Sequence, residues 1–370
     1  MSIVEQTAAQ SMKDDISSRI EATLARASAT VAAVRADAGD GAVDEFMPNL
    51  RRIERDFAER SSQMMLKWSK RFSLDYREYV EKAKLPPMEL STVLPQYHSH
   101  ANRLSIKHES RRRLEYVNII PQSLFFSSVT RFLSAVLSGD RRYLDDDPVN
   151  GGGITIPVPG FTLSHPLTAI GKVSNVTKAF QWVMGYPLMT ANHLVHQIFP
   201  RTRMYTLQDG VEQVDEDIFR WVIWARDEET ITASEDLYES DSVMIMVQPP
   251  WVLAKDDLQS FVQLGTFPKP DPESQHSKPM TSSQRLWGKV WDLCHQKRAH
   301  WFVITSYEYW VFGCFTRGWT NAYVSPIMAD YTGEPTVVQC LLFWFSSAVA
   351  DLAKSEHVWS LPVVGNLFSC

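Results

Sequence analysis

One continuous apolar run limits the folds open to this chain more than any other feature. Residues Val243 to Val247 read VMIMV, which is the length and character of a strand buried inside a sheet. Pro249 and Pro250 must end that strand, because neither has an N–H to donate to a neighbouring strand. A buried strand needs other elements packed over it, so the run predicts a sheet with helices against it.

The chain around this strand alternates between strand and helix patterns. Apolar β-branched runs predict strands at 219–225, 301–307, 310–315 and 321–325, and apolar residues at helical spacing predict helices at 255–264, 286–294 and 335–353. Ser282 or Ser283 would cap the second of these helices. The order favours an α/β or α+β fold, and we prefer the α+β class. Residues 210–355 are expected to form a mixed sheet flanked by helices, with the strands near 219, 243 and 301 at its centre.

Residues 1–85 instead show the helical period throughout. Two amphipathic stretches, from Ile16 to Val34 and from Leu50 to Tyr79, are separated by glycines and followed by Pro86 and Pro87, which predicts an N-terminal helical hairpin. An aromatic stripe runs along the second stretch and includes Phe57, Met64, Trp68, Phe72, Tyr76 and Tyr79. The stripe predicts self-association or docking of a protein partner, and packing on the rest of the same chain is the alternative.

Three regions follow from these patterns. Residues 1–85 form the hairpin, 86–210 a helical and Gly/Pro-rich connecting region, and 211–370 an α/β core domain rich in tryptophan. Residues 88–150 show helical patterns, with an apolar stretch from 119 to 137. Prolines at 157, 159, 166, 187 and 200 predict that 154–200 holds short elements, with a possible helix at 173–184.

Charge and cysteine content disfavour several classes of protein. The net charge is −6, so no global positive field draws the chain to nucleic acid or anionic lipid, and any such binding needs a local patch. The four cysteines lack the paired spacing of a zinc ribbon or redox dithiol. Without a secretory signal pattern or an apolar run of about 20 residues, we expect an intracellular protein, cytoplasmic or nuclear, with no membrane contact. Phosphate loops, serine-nucleophile elbows and kinase catalytic loops are not found in the sequence, which disfavours nucleotide hydrolases and kinases.

Two clusters of chemistry-bearing side chains stand out. A dense basic stretch offers Lys107, Arg111, Arg112 and Arg113 as candidate nucleic-acid contacts, although the neighbouring Glu109 and Glu115 favour an ion-paired, solvated face. Two histidine pairs, at 98 and 100 and at 193 and 196, offer four imidazoles to a metal. Because the pairs are far apart in sequence and have no adjacent carboxylate, surface or interface histidines are the preferred interpretation and no metal site is predicted.

The second half of the chain resembles a known nuclease-like family. The run VMIMVQPPWVL, the helix RLWGKVWDLCHQ and the strand pair HWFVITSYEYWVFGCF are similar to the PD-(D/E)XK nuclease-like core, as it occurs in mushroom-lineage proteins and ahead of fungal-type kinase domains. The resemblance covers about residues 215–350. It implies a restriction-endonuclease-like core in which a β-hairpin carries an acid on one strand and Glu-x-Lys on the next, followed by a helix and a further strand.

The catalytic motif departs from the family pattern. Such a nuclease needs two or three carboxylates to hold a divalent metal and a lysine to position the attacking water. Where Glu-x-Lys is expected, the sequence reads Met246-Val247-Gln248 in one register and Gln248-Pro249-Pro250 in the other, and both lack the lysine. Lys255 from the following helix could replace the lysine. The hairpin loop offers several acids to replace the carboxylate, Asp227, Glu228, Glu229, Glu235 or Asp241, and we take Asp241 and Lys255 as the candidates.

The resemblance therefore predicts a non-catalytic interaction or regulatory protein on a degenerate nuclease-like fold, with no cofactor. One alternative is a Mg²⁺-dependent nuclease with Asp241, Gln248 and Lys255 as relocated catalytic residues. Another is a small-molecule enzyme that uses a pocket lined by tryptophans. Nucleic acid is a possible partner in addition to protein.

Overall fold

The computed structural model describes ten ranges of the chain. They are 76–92, 104–106, 112–137, 153–158, 171–210, 215–227, 241–268, 280–330, 333–350 and 356–362. Of the hairpin predicted for residues 1–85, only 76–85 fall within these ranges. Residues 107 and 111, two of the predicted nucleic-acid contacts, and the histidines at 98 and 100 also lie outside them.

Eight strands of the described residues form one mixed sheet. In chain order they are β1 (Tyr116–Ile119), β2 (Tyr205–Gly210), β3 (Arg220–Arg226), β4 (Val243–Val247), β5 (Trp301–Thr305), β6 (Tyr309–Phe315), β7 (Asn321–Val324) and β8 (Met328–Ala329). Across the sheet the order is β1-β7-β6-β5-β4-β3-β2, and β8 pairs with β6. The pairs β1–β7 and β4–β5 are parallel, and the other pairs are antiparallel.

The predicted mixed sheet flanked by helices is confirmed, and it is wider than expected. β1 lies outside residues 210–355, and so does β2 except for its last residue, Gly210. As a result β5 is central with β4 beside it, while β3, expected at the centre, is next to the edge strand β2. The helical interpretation of residues 88–150 was wrong for Tyr116–Ile119, which are extended because they pair in parallel with Asn321–Val324.

Seven α-helices occur in the same ranges. They are α1 (Tyr76–Lys82), α2 (Gln122–Val136), α3 (Val176–Val183), α4 (Met189–Ile198), α5 (Lys255–Val262), α6 (Ser282–Lys297) and α7 (Val337–Ala348). A π-helical turn, Met184–Leu188, joins α3 to α4 and contains Pro187. The prediction of short elements is therefore wrong here. Pro187 changes the hydrogen-bond pattern within one helical path and does not divide that path.

The start of α6 differs by one residue from the sequence prediction. Thr281, and not Ser282 or Ser283, is the N-cap: its Oγ1 accepts from the Gln284 N–H at 3.2 Å, and the Gln284 side chain accepts from the Thr281 N–H at 2.9 Å. This reciprocal pair is a capping box, which needs the glutamine three residues after the cap and so selects Thr281. The helix α5 ends at Val262, two residues before the predicted end at 264, and Gly265 beyond it has a φ of +69° that favours glycine.

Helices cover both faces of the sheet with aromatic side chains. On one face, Trp287 of α6 stacks on Phe261 of α5 at 4.1 Å and meets the Phe302 ring edge-on at 5.8 Å. On the other face, Phe345 of α7 stacks on Trp224 of β3 at 4.7 Å. Burying each such ring stabilises the fold by about 1.5–3 kcal/mol, so these two layers hold the sheet between them.

The short helix α1 belongs to this packed core. Tyr79 and Val80 are fully buried, and the Tyr79 hydroxyl donates to the Ile156 carbonyl at 2.9 Å. Gln339 of α7 donates to the Val80 carbonyl at 3.4 Å. The last two members of the aromatic stripe, Tyr76 and Tyr79, are therefore buried within the same chain. Of the helices in the described ranges, none has the length and apolarity needed to cross a bilayer.

Candidate functional site

The carboxyl end of β4 is where the sequence places the altered catalytic motif. β4 and β5 are parallel neighbours, with Val247 opposite Thr305, and ligands of open α/β sheets bind at such carboxyl ends. Gln248 follows β4 directly and is fully buried. Its backbone N–H donates to the Thr305 carbonyl at 3.1 Å, and its side-chain amide donates to the Ile218 carbonyl at 3.3 Å. Gln248 therefore satisfies a backbone group of the turn that leads into β3.

A buried ion pair joins the same turn to α6. Asp215 starts the turn, and its carbonyl accepts the N–H groups of Ile218 and Phe219 at 3.0 and 2.9 Å. Its carboxylate accepts from Lys289 Nζ at 2.6 Å and from the Ser105 N–H at 3.0 Å. The Lys289 and Asp215 side chains are 4% and 3% exposed. Lys289 also donates to the Ser105 carbonyl at 3.1 Å, so the ammonium and the carboxylate share one partner residue.

A second ion pair lies on the same helix. Arg112 donates through Nε and Nη2 to Asp292 Oδ1 at 3.0 and 2.7 Å, and the two side chains are 6% and 12% exposed. The guanidinium lies close against α6, because a Cβ at Gly288 would be 3.4 Å from it. Arg112, one of the predicted phosphate contacts, is thus held by Asp292, whereas Arg113 beside it is exposed. Both ion pairs attach residues 104–106 and 112 to α6.

Asp241, another predicted catalytic residue, lies at the opposite end of β4. Asp241 precedes β4 and Gln248 follows it, so the intervening extended chain separates them by about 20 Å at about 3.3 Å per residue. Lys255 is exposed in the first turn of α5. The structure therefore places Gln248 beside Asp215 and Lys289, which sequence reasoning missed. The available signal was a lysine at the edge of the apolar face of a helix, between Leu286 and Val290.

The turn between β5 and β6 brings two further acids to this end. Glu308 follows Tyr307, which has a φ of +73°, and its carbonyl accepts from the Asp330 N–H at 3.0 Å. Burial, and then the charge of Asp330, raise the pKa of Glu308. Two carboxylates at one turn can share a proton or attract a cation. Among the residues that the structure describes, no group of three or more potential metal ligands is found.

The histidine pair of α4 is placed in the interior. His193 and His196 are one turn apart, and His193 is buried. Burial, and then the neighbouring His193, lower the pKa of His196 to about 4. Its imidazole is therefore neutral at pH 7. The other two imidazoles of the possible metal site, at 98 and 100, lie outside the described residues.

Tryptophans of the core are packed in the interior and do not line the cavity between α5 and α6. Trp287, Trp310 and Trp344 are fully buried, and the Trp344 ring meets Trp301 edge-on at 4.9 Å. A cavity of about 210 Å³ lies between α5 and α6. Its lining contains no tryptophan and consists of five polar residues and one leucine: Asp257, Ser260, Thr281, Ser282, Ser283 and Leu286.

The chain matches no protein-family model, no curated protein and no solved structure. The chemistry of this end of the sheet is therefore judged from its own contacts. Those contacts are a buried amide, a buried ion pair and an acidic turn, all formed by elements that meet at the carboxyl ends of β4 and β5.

Proposed function

We propose that the protein is a non-catalytic interaction or regulatory protein built on a degenerate nuclease-like core. The observation that carries this proposal is Gln248, a neutral and fully buried side chain where the resemblance expects a catalytic acid. Its amide donates to the Ile218 carbonyl, so it stabilises a turn and has no charge to offer a metal ion. The prolines that follow leave no lysine in either register.

The order of elements supports the nuclease-like part of the proposal. β2, β3 and β4 form an antiparallel meander, α5 and α6 follow, and β5 returns parallel to β4. A hairpin, a helical crossover and a further strand are what the resemblance implies for residues 215–350. The catalytic residues of that pattern are what the chain lacks.

The ion pair beside Gln248 supports the non-catalytic part. To bind a divalent metal, Asp215 would have to give up Lys289, and leaving one charge of a buried pair uncompensated costs about 3–5 kcal/mol. The Ser105 N–H lies 3.0 and 3.2 Å from the two carboxylate oxygens, which fixes the carboxylate further. This geometry favours a structural role for the acid.

The partner is proposed to be a protein or a second copy of the chain. Tyr76 and Tyr79 are already buried, so the proposal concerns the members of the aromatic stripe before residue 76, represented by Trp68. Light scattering of the full chain and of a Trp68→Glu variant tests this, with Leu90→Glu, at an exposed apolar residue, as the control. The proposal fails if the wild-type chain stays monomeric and binds no protein, and if Trp68→Glu lowers the melting temperature. That result would mean that the stripe packs against the rest of the same chain.

A cleavage assay tests the absence of nuclease activity. Plasmid DNA and RNA are incubated with the full chain in Mg²⁺ or Mn²⁺, and we expect no cleavage above the metal-free control. Cleavage that is lost in Asp241→Ala or Lys255→Ala would establish the relocated nuclease instead. Asp209→Ala and Lys84→Ala, at exposed residues elsewhere, are the matched controls and should leave any such cleavage unchanged.

A further inference from the structure

An aromatic and cationic surface lies at the opposite end of the sheet, where β5 begins. We call it the ring surface, and it consists of His295, Arg298, Arg317 and Trp319. The C-terminal half of α6 and the β6–β7 turn meet there, because Trp291 Nε1 donates to the Trp319 carbonyl at 3.1 Å and the Phe315 N–H donates to the His300 carbonyl at 2.9 Å. Arg298 and Arg317 each lie two residues from this last hydrogen-bonded pair.

The two rings of the surface are held from below by buried aromatic groups. His295 is exposed and stacks flat on Trp291, with centroids 4.5 Å apart and planes 9° apart. Trp319 is half-buried, and its ring lies 4.2 Å from His300 and 5.3 Å from Phe315. Both rings still reach solvent, and their positions are fixed before any ligand arrives.

The backbone of Trp319 is held in a conformation that few side chains adopt. Its φ is +61°, its N–H donates to the Thr316 carbonyl at 2.8 Å, and its carbonyl accepts from Trp291 Nε1 at 3.1 Å. A bulky residue in the left-handed region is strained, and such strain persists only where the surroundings fix it. These contacts orient the ring toward His295, which it meets edge-on at 5.2 Å.

Positive charge borders the rings. Arg298 and Arg317 are both exposed, one directly after α6 and the other in the β6–β7 turn. Glu115 is a half-buried acid near the same turn, and its N–H donates to the Thr320 carbonyl at 2.8 Å. The two guanidinium groups place positive charge at this surface in a chain whose net charge is −6.

We propose that the ring surface binds single-stranded nucleic acid. Unpaired bases stack on aromatic side chains whatever their sequence, and arginine contacts the phosphates between them. A duplex keeps its bases stacked inside and would offer the rings nothing. An acidic peptide would match the arginines and leave both rings unused. The inference rests on the proposed function in one respect, namely that the strand is bound and not cut. Gel analysis of the strand length after binding measures cleavage independently of affinity.

Fluorescence anisotropy of the full chain with a labelled oligothymidine tests the proposal. An abasic strand of the same length carries the same phosphates but no bases, so its affinity measures the electrostatic contribution to binding alone. We expect tighter binding of oligothymidine, and His295→Ala and Trp319→Leu should each weaken it about 5- to 150-fold while leaving abasic binding unchanged. Trp319→Leu could lower the melting temperature, which would confuse loss of folding with loss of binding. His295 is exposed on a helix, so His295→Ala should leave the fold intact and test the binding alone.

The arginines predict a different signature. Arg317→Ala and Arg298→Gly should each lower the affinity for both oligothymidine and the abasic strand. Each should also reduce the slope of log affinity against log salt by about 0.7, the value for one lost phosphate contact. Glycine suits the φ of +54° at Arg298. Arg131→Ala, at an exposed arginine of α2, is the matched control and should change nothing.

Four results would overturn the proposal. They are equal binding of the abasic strand and oligothymidine by the wild-type chain, tighter binding of a duplex of the same length, binding of a polyglutamate peptide as tightly as oligothymidine, and an effect of Arg131→Ala as large as that of Arg317→Ala. An intact strand after binding supports the proposal together with the non-catalytic function. A bound strand that is cleaved would contradict the proposed function and leave the ring surface as a substrate contact.

Discussion

Replacing Lys289 with methionine tests whether the buried ion pair holds the carboxyl end of β4 together. Methionine has a similar length and no charge, so Lys289→Met removes the ammonium with little change in volume. The Asp215 carboxylate then loses a partner at 2.6 Å in a site where its side chain is 3% exposed. The Ser105 N–H remains, and water cannot replace the ammonium without opening the site.

The expected loss follows from that burial. Removing one partner of a buried pair typically costs about 3–5 kcal/mol, since the other charge stays in a low-dielectric site. We expect Lys289→Met to fall in this range. Adding Asp215→Asn removes the uncompensated charge and keeps an acceptor for Ser105, so the double variant should recover at least half of the loss. This non-additivity distinguishes an uncompensated charge from simple loss of packing.

Urea unfolding of the full chain measures these free energies, with the slope checked to show that the denatured state is unchanged. Lys297→Met on the same helix is the matched control. That lysine is exposed and its Nζ lies 5.3 Å from the Trp221 ring, a contact worth about 0.5–1 kcal/mol. If Lys289→Met costs no more than Lys297→Met, or the double variant is less stable than either single one, the argument is refuted.

Two further predictions concern the core. A Cβ at Gly313 would lie 2.2 Å from the Phe302 ring, so Gly313→Ala should lower the free energy of unfolding by about 1–3 kcal/mol. Gly171 has open space around it, so the control Gly171→Ala should change that free energy by less than about 0.5 kcal/mol in the same unfolding assay. Equal effects of the two substitutions would contradict this prediction. The pKa of His196 is about 4 in the folded state and 6.5 when unfolded, so the unfolded state binds the proton first and stability falls as pH drops from 6.5 to 4. At about 1.4 kcal/mol per pKa unit, His196→Gln should reduce that fall by about 3 kcal/mol, and an unchanged pH profile would contradict the assignment.

The strands that the sequence predicted are those whose own residues decide their conformation. Val243–Val247 is apolar throughout and ends at Pro249, so burial and termination are both local properties. Tyr116–Ile119 was missed because its pattern is not local. Tyr116 and Ile119 are 51% and 48% exposed, and the segment is extended because β7 lies beside it. Its partner strand is about 200 positions later in the chain, and no window of sequence contains both.

The site shows the same division between local and distant information. Gln248 was identified from a departure in a short motif, and the structure places it at the end of β4 as its sequence position required. The ion pair was missed because Asp215 and Lys289 are 74 positions apart and both contact Ser105, more than 100 positions from either. Nothing in the residues around Asp215 distinguishes it from the solvated acids Glu216 and Asp217 beside it.

Accessibility divides the charged groups of the two ends of the sheet into different roles. Gln248, Asp215 and Lys289 are almost fully buried, so a ligand cannot touch them unless the turn before β3 opens. His295 and Arg317 reach solvent from a rigid base. The buried charges of Asp215 and Lys289 therefore contribute to folding, whereas the charges at the start of β5 lie on the surface.

This division makes a joint prediction for the two sets of variants. Lys289→Met should lower the free energy of unfolding and leave the affinity of the folded chain for oligothymidine unchanged. Arg317→Ala should do the reverse, because an exposed arginine contributes little to stability and much to phosphate contact. If Lys289→Met lost affinity at a temperature where it is fully folded, the carboxyl end of β4 would be part of the binding surface. The assignment of recognition to the ring surface alone would then be wrong.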